Sequence, residues 1–114
     1  MSINYKGWDT QYDITFELST YREGGGLAVL MNYYDKEFKC NMSYGTLTVN
    51  LEDFPTYGSK AFVDINNLGE GIIQWIEDNN LGKQTSRLGF SGFCVYPEVD
   101  FNLDEINKHL TKEN

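Results

Sequence analysis

From Tyr12 to Ser19 the chain alternates without a break. Tyr12, Ile14, Phe16 and Leu18 fall on one side, and Asp13, Thr15, Glu17 and Ser19 on the other. Strand side chains point to opposite faces at period two, so this segment predicts a strand with one buried face and one wet face. Such a strand has to be completed by others, and the rest of the chain offers them. Glu23-Gly24-Gly25-Gly26 cannot easily hold regular structure, and Leu27 to Met31 behind it is apolar on both faces. The pair reads as a hairpin from an edge-facing strand into a more central one. Asp35 to Lys39 supplies a second polar turn, after which Leu47, Val49 and Leu51 alternate with Thr46, Thr48 and Asn50 as a third strand.

Pro55 and Gly58 interrupt the pattern before Lys60 to Ile65, a fourth strand. Asn67, with Glu70 three positions on, predicts a capped helix. It runs to Asn80, with Leu68, Ile72, Trp75 and Ile76 as its apolar stripe and Asn79-Asn80-Leu81-Gly82 as its end. Lys83 to Arg87 reads as a loop, and Phe90 to Tyr96 as a fifth strand interrupted by Gly92. Asn102 with Glu105 repeats the capping pattern ahead of Leu103, Ile106 and Leu110, so a short helix is expected from Asn102 to Lys112. The fold class predicted is α+β: a mainly antiparallel sheet of about five strands with two helices packed on one face. At 114 residues, residues 1–114 form one domain, and 40% apolar side chains suffice for a real core beneath a polar surface.

Several chemistries find no support. His109 is the only histidine, so a second cannot complete a Ser-His-Asp or Cys-His arrangement. Near the end of the last helix it reads as a surface residue. Gly89-Phe90-Ser91-Gly92 resembles a nucleophile elbow, but Phe93 stands where a small residue is needed and no helix pattern follows. Asp64 to Gly69 resembles the start of a calcium loop, but Leu68 and Trp75 stand where ligands belong. Gly69 and Gly71 lack the spacing of a phosphate loop. Cys40 and Cys94 stand outside any metal or redox spacing and read as two reduced, partly buried thiols. No catalytic residue, metal site or cofactor is therefore predicted. Met1 to Lys6 has no apolar run, and Leu27 to Met31 is too short to span a bilayer, so a cytoplasmic protein is expected. On that expectation the sequon at Asn41 goes unused.

Charge then points to binding. With 17 acidic residues against 9 basic ones, the net charge is -8. Such a surface repels nucleic acid and attracts the basic clefts that bind it. Asp13 and Glu17 on the wet face of the first strand, and Glu98 with Asp100, are the candidate acidic contacts. Acidic pairs at turns and helix starts are also ordinary solvated faces, and the sequence leaves both readings open. Eight tyrosines and seven phenylalanines suggest a second kind of surface, with Tyr33, Tyr34 and Tyr57 as candidates in or beside turns. Ordinary sheet packing with hydroxyls at the rim accounts for them equally well.

Thr46 to Leu51, Ala61 to Asn67, Ser91 to Pro97 and Phe101-Asn102-Leu103, in that order and spacing, resemble a family of unknown function. Its members are small proteins encoded on conjugative elements and phages of Gram-positive bacteria, and the resemblance covers roughly Tyr12 to Leu103. Leu68 to Gly71 departs from the pattern, whose tryptophan near the helix start is here delayed to Trp75. The resemblance implies no particular functional residue. It implies a setting in which small acidic proteins inhibit host defence of the restriction or CRISPR type, as decoys on nucleic-acid-binding enzymes. Two alternatives stand beside that expectation: an accessory protein that binds another protein through an aromatic patch, and a ligand binder or enzyme with clustered carboxylates in a cleft.

Overall fold

The computed structural model describes residues 1–7 and 10–112. Its strands form two antiparallel sheets rather than one. Sheet A has the order β1-β2-β3-β4, from Ile3–Lys6, Gln11–Thr20, Leu27–Asp35 and Cys40–Thr46. Sheet B has the order β5-β6-β8-β7, from Thr48–Val49, Lys60–Val63, Cys94–Phe101 and Gly82–Ser91. The predicted mixed, strand-rich character holds, while the single five-stranded sheet and its two helices do not.

The chain passes from one sheet to the other at Leu47. Its amide donates to Val29 O on β3 at 2.8 Å, and its carbonyl accepts from Asp64 N at 3.0 Å. Thr48 continues the seam: its buried hydroxyl accepts from Val29 N and meets the Tyr21 hydroxyl. Leu47 and Thr48 are therefore both buried, which breaks the alternation expected over Thr46 to Leu51. The Tyr12–Leu18 alternation holds, with Ile14 and Phe16 fully buried. Across them lie Ile3 of β1 and Met31 of β3, in the registers Ile3↔Ile14 and Phe16↔Met31. Ala61, Val63, Val99 and Phe101 of sheet B complete one core with Ile72, Ile76 and Ile106.

The helices are shorter than the apolar stripe suggests. Asp64, not Asn67, caps the first one, accepting from Asn67 N, and α1 spans only Ile65–Leu68. Gly69 then adopts φ +90°, a left-handed conformation that ends the helix, and α2 restarts at Gly71–Asp78. Its close is as expected: Asn80 takes φ +59° and Leu81 N reaches back to Ile76 O. Asn102 caps α3, Leu103–Ile106, as its spacing with Glu105 predicts. That helix tightens into a 3₁₀ turn at Asn107–His109, after which Leu110 bridges Phe16 in parallel and Thr111 N donates to Phe16 O. No helix among the described residues is long and apolar enough to cross a membrane.

Three further expectations are corrected. Lys83 to Arg87 lies inside β7, and Phe90 to Tyr96 is the tip of a hairpin whose last pairs are Phe90↔Val95 and Ser91↔Cys94. His109 is buried, 6% exposed, with Nδ1 2.7 Å from Met1 O and Nε2 2.9 Å from Glu105 Oε2.

Candidate functional site

The β7–β8 hairpin is long because its register continues well past the neighbouring strand. β6 pairs with β8 only at Glu98, Val99 and Asp100, whereas β7 pairs with β8 all the way to Cys94. On β8, Val99 and Phe101 point into the core. Strand alternation puts Pro97 and Val95 on that same face, and their partners Leu88 and Phe90 join them from β7. Pro97 is buried, but beyond it the core has run out. Leu88 is 46% exposed, Phe90 50% and Val95 40%, and Phe93 at the turn is fully exposed. The result is a strip of core-type side chains carried into solvent, on a stretch from Leu88 to Pro97 with no charged residue.

The opposite face of this hairpin is covered. The chain from Leu51 to Pro55 folds over it, with Phe54 packed edge-on to Phe62 at 6.2 Å. The Phe54 ring also reaches that of Phe90 at 5.8 Å, so Phe90 is half-covered by this segment while Leu88, Val95 and Phe93 form the open part of the strip. Gly89 lies beneath: a Cβ there would come within 2.5 Å of Leu51 Cδ1 and 2.9 Å of the Phe62 ring. Arg87 fastens the cover. One guanidinium nitrogen donates to Pro55 O at 2.7 Å and to Glu98 Oε2 at 3.0 Å, while its carbon sits 5.2 Å from the centre of the Phe62 ring. Thr85 Oγ1 donates to the other oxygen of Glu98. The outer edge of β7 is also managed. Gln84 N donates to Glu77 Oε2 on α2, and Arg87 N to Thr85 Oγ1 beside the register shift between Gln84 and Leu88.

The acidic candidates are not gathered. Asp13 and Glu17 are exposed on the outer face of β2, but the C-terminal segment crosses that face. Thr111 Oγ1 meets Thr15 Oγ1 at 2.8 Å and accepts from Asn32 Nδ2, and Asn41 Nδ2 donates to Lys112 O. The two carboxylates lie on either side of Thr15, and Asn32 Nδ2 also reaches Glu17 Oε1. Glu98 is 3% exposed and committed to Arg87 and Thr85, so it is no surface carboxylate. Asp100 is exposed in sheet B, bonded to the Ser59 hydroxyl and placed across from Lys60 on one side and Lys83 on the other.

Of the tyrosine candidates, Tyr34 and Tyr57 are 48% and 75% exposed but stand apart, on β3 and in the chain between β5 and β6. Tyr33 is half-buried in a wall of rings on the core side of sheet A. Tyr12 packs edge-on to Tyr33 at 5.0 Å and to Tyr44 at 4.9 Å, and Tyr5 to Tyr44 at 5.4 Å and to Trp75 at 5.0 Å. Trp75 Nε1 in turn donates to Asn4 O. This wall borders a cavity of about 670 Å³ that Asp64, Asn67 and Leu68 close on the helix side. Asp64 is already occupied with Asn67, accepting from both its amides. Cys40 and Cys94 are half-buried free thiols on different sheets.

A family model matches residues 15–113, nearly the whole chain. The chain belongs to the DUF4313 family. Its description is a domain of unknown function, so membership names the fold unit and assigns it no activity. No curated protein and no solved structure matches the chain. Within this DUF4313 domain the matched span takes in both sheets except β1 and the first residues of β2, and all of the exposed hairpin strip.

Proposed function

We propose that this domain works by binding protein, and that the distal β7–β8 hairpin is its contact surface. One observation carries the reading: Leu88, Phe93 and Val95 are open to water, with Phe90 half-open beside Phe54, on a hairpin end that has no charged residue from Leu88 to Pro97 and is anchored on its other face by Phe54, Phe62 and the Arg87–Glu98 pair. Scattered apolar side chains need no explanation, but a contiguous set on a rigid projection marks an interaction site. Aromatic anchors of this kind dominate binding energy where they fill a partner's surface. No catalytic step is assigned to the domain. The accessory role of a protein encoded on a mobile element is compatible with such a surface and belongs to this proposal.

The test is a photo-reactive phenylalanine analogue placed at Phe93 and, separately, at Tyr57. Irradiation in cells is expected to give discrete protein adducts from position 93 and none from position 57. Equal or absent adducts at both positions would refute the hairpin as the contact surface.

The net charge of -8 favours a second reading, capture of a basic nucleic-acid-binding defence protein through Asp13 and Glu17. Dispersed carboxylates weaken it, since mimicry of a phosphate backbone asks for several charges acting jointly. Capture that collapses as salt rises would favour this reading over the hairpin.

A further inference from the structure

Apart from the hairpin, we infer that the cavity of about 670 Å³ beside the tyrosine wall binds a short extended peptide, which carries a basic side chain and pairs as an added strand with the edges of sheet A. β1 and β4 are the two edges of that sheet. Tyr5 and Tyr44 nonetheless pack together at 5.4 Å, so the sheet curls until its edges face each other across the cavity. Tyr5-Lys6-Gly7 lines one side and Tyr44-Gly45-Thr46 the other.

The register fixes which groups these edges present. Gly7 N donates to Thr10 O at 2.8 Å in line with the Lys6↔Gln11 pairing, so the bonded pairs of β1 and β2 fall at Gly7, Tyr5 and Ile3. Asn4 and Lys6 therefore turn their main-chain N–H and C=O away from β2, and Trp75 Nε1 reaches Asn4 O from that side. On β4, Leu47 N donates to Val29 O, which places Gly45 in a bonded pair with Met31 and turns the main chain of Thr46 outward. Lys6 and Thr46 both line the cavity. Donors and acceptors on facing strand edges suit a peptide, whose own amides alternate in the same way.

The side chains set what the peptide carries. Strand alternation sends the Lys6 side chain to the exposed outer face, while Tyr5 and Tyr44 give the cavity an aromatic surface. Asp64 closes the helix side. It accepts from Asn67 N and Asn67 Nδ2, and a carboxylate accepts about four bonds, so it has capacity left for a basic group. The net charge of -8 favours a cationic ligand over an anionic one. Gly45 supplies the room: a Cβ there would meet nothing within 4 Å, so the missing side chain is space in the cavity rather than in the core.

The experiment selects peptides from a displayed random heptapeptide library on the immobilised full chain, with Gly45→Val as the counter-selection. Valine fills the cavity at an ordinary strand position, and circular dichroism checks that the variant folds. Enriched peptides are expected to carry Lys or Arg, to bind Gly45→Val about tenfold more weakly or worse, and to shift the amide resonances of Lys6 and Thr46. Asp64→Asn, which retains the helix cap, should weaken binding about threefold or more, and added salt should act in the same direction. Methylating the peptide's amide nitrogens one at a time removes main-chain donors without touching its side chains, and at least one such position should abolish binding. That readout needs no variant of the protein. Phe93→Ser should change nothing. No enrichment over the counter-selection overturns the inference, as do resonance shifts confined to Leu88–Pro97. Tolerance of methylation at every amide overturns it too, since the occupant would then not be an added strand. Failure here leaves the hairpin reading untouched, because the two sites share no residue.

Discussion

Truncating Arg87 to alanine removes three interactions at once: the 3.0 Å bond to Glu98, the 2.7 Å bond to Pro55 O, and the guanidinium against the Phe62 ring. It leaves the Glu98 carboxylate buried, its side chain 5% exposed, with the Thr85 hydroxyl as its remaining partner. Breaking a fully buried ion pair by removing one partner costs about 3–5 kcal/mol, because the other charge is stranded. The Arg87 side chain is 40% exposed, so water reaches one end of the pair and the cost is discounted to about 2–3 kcal/mol. For a chain of this length that corresponds to a fall in Tm on the order of 10 °C. Glu98→Gln should cost less, since an amide can keep the Thr85 bond and strands no charge. Urea denaturation at pH 7 measures both, and the double mutant Arg87→Ala, Glu98→Gln closes the cycle that isolates the coupling. A separate double mutant, Arg87→Met with Glu98→Leu, should recover part of the loss, because an apolar pair of similar volume strands no charge. A loss below about 0.5 kcal/mol for Arg87→Ala would show that the pair is an ordinary surface contact and that the Leu51–Pro55 cover is held by its rings alone.

Gly89→Ala should destabilise by about 1–3 kcal/mol, since its Cβ meets Leu51 and a Phe62 ring already held by Phe54 and Arg87. A urea midpoint within error of the parent would mean the cover can lift. Glu105 is held below the usual carboxylate range, first by its bond from His109 and then by Lys108 nearby. Its folded pKa is depressed, so its stabilisation is complete above the ordinary carboxylate pKa and is lost as pH falls through the lowered value. The gap in urea midpoint between the parent and Glu105→Gln should therefore be open at pH 7 and close toward pH 3; a gap that widens in acid would contradict this linkage. Reversing Asp13 and Glu17 to lysine together should leave stability within about 0.5 kcal/mol, as both lie on an exposed strand face. Urea denaturation checks this, and a loss above about 1 kcal/mol would mean that the C-terminal crossing at Thr15 and Asn32 depends on these carboxylates.

Period two found the strands that carry one wet face and missed those that do not. Tyr12 to Leu18 is paired on both sides and covered by the core, so its alternation is faithful. β4, Cys40–Thr46, shows no comparable pattern because it is an edge strand with a register shift opposite Met31/Asn32 and much of its length exposed. β7 opens with Lys83-Gln84-Thr85-Ser86-Arg87, which reads as a loop because an irregular edge strand needs few apolar residues. β1 spans four residues, too few for its Ile3 and Tyr5 to stand out. The hairpin tip turned on one glycine: at φ +59° Gly92 reverses the chain, so Phe93 is the outermost residue rather than the middle of a strand. His109 and Glu98 escaped for a different reason. Each is buried by a segment distant in sequence, Met1 in one case and the Leu51–Pro55 chain in the other, and local periodicity carries no record of such contacts.

The acidic excess itself has a structural use that a count of charges hides. Asp35 accepts from Glu37 N and Phe38 N and so closes the turn between β3 and β4. Asp64 caps α1, Glu77 occupies an edge amide of β7, Glu98 holds Arg87, and Glu105 receives His109. Carboxylates suit these tasks because they only accept, and turns, helix starts and strand edges leave amides without partners. Five acids so employed account for much of the imbalance of 17 against 9 without forming a continuous negative face. Net charge then acts as a constraint on where contact is possible rather than as the contact itself. It discourages approach through much of the acidic body, whereas the Leu88–Pro97 end of the β7–β8 hairpin has no charged side chain of its own.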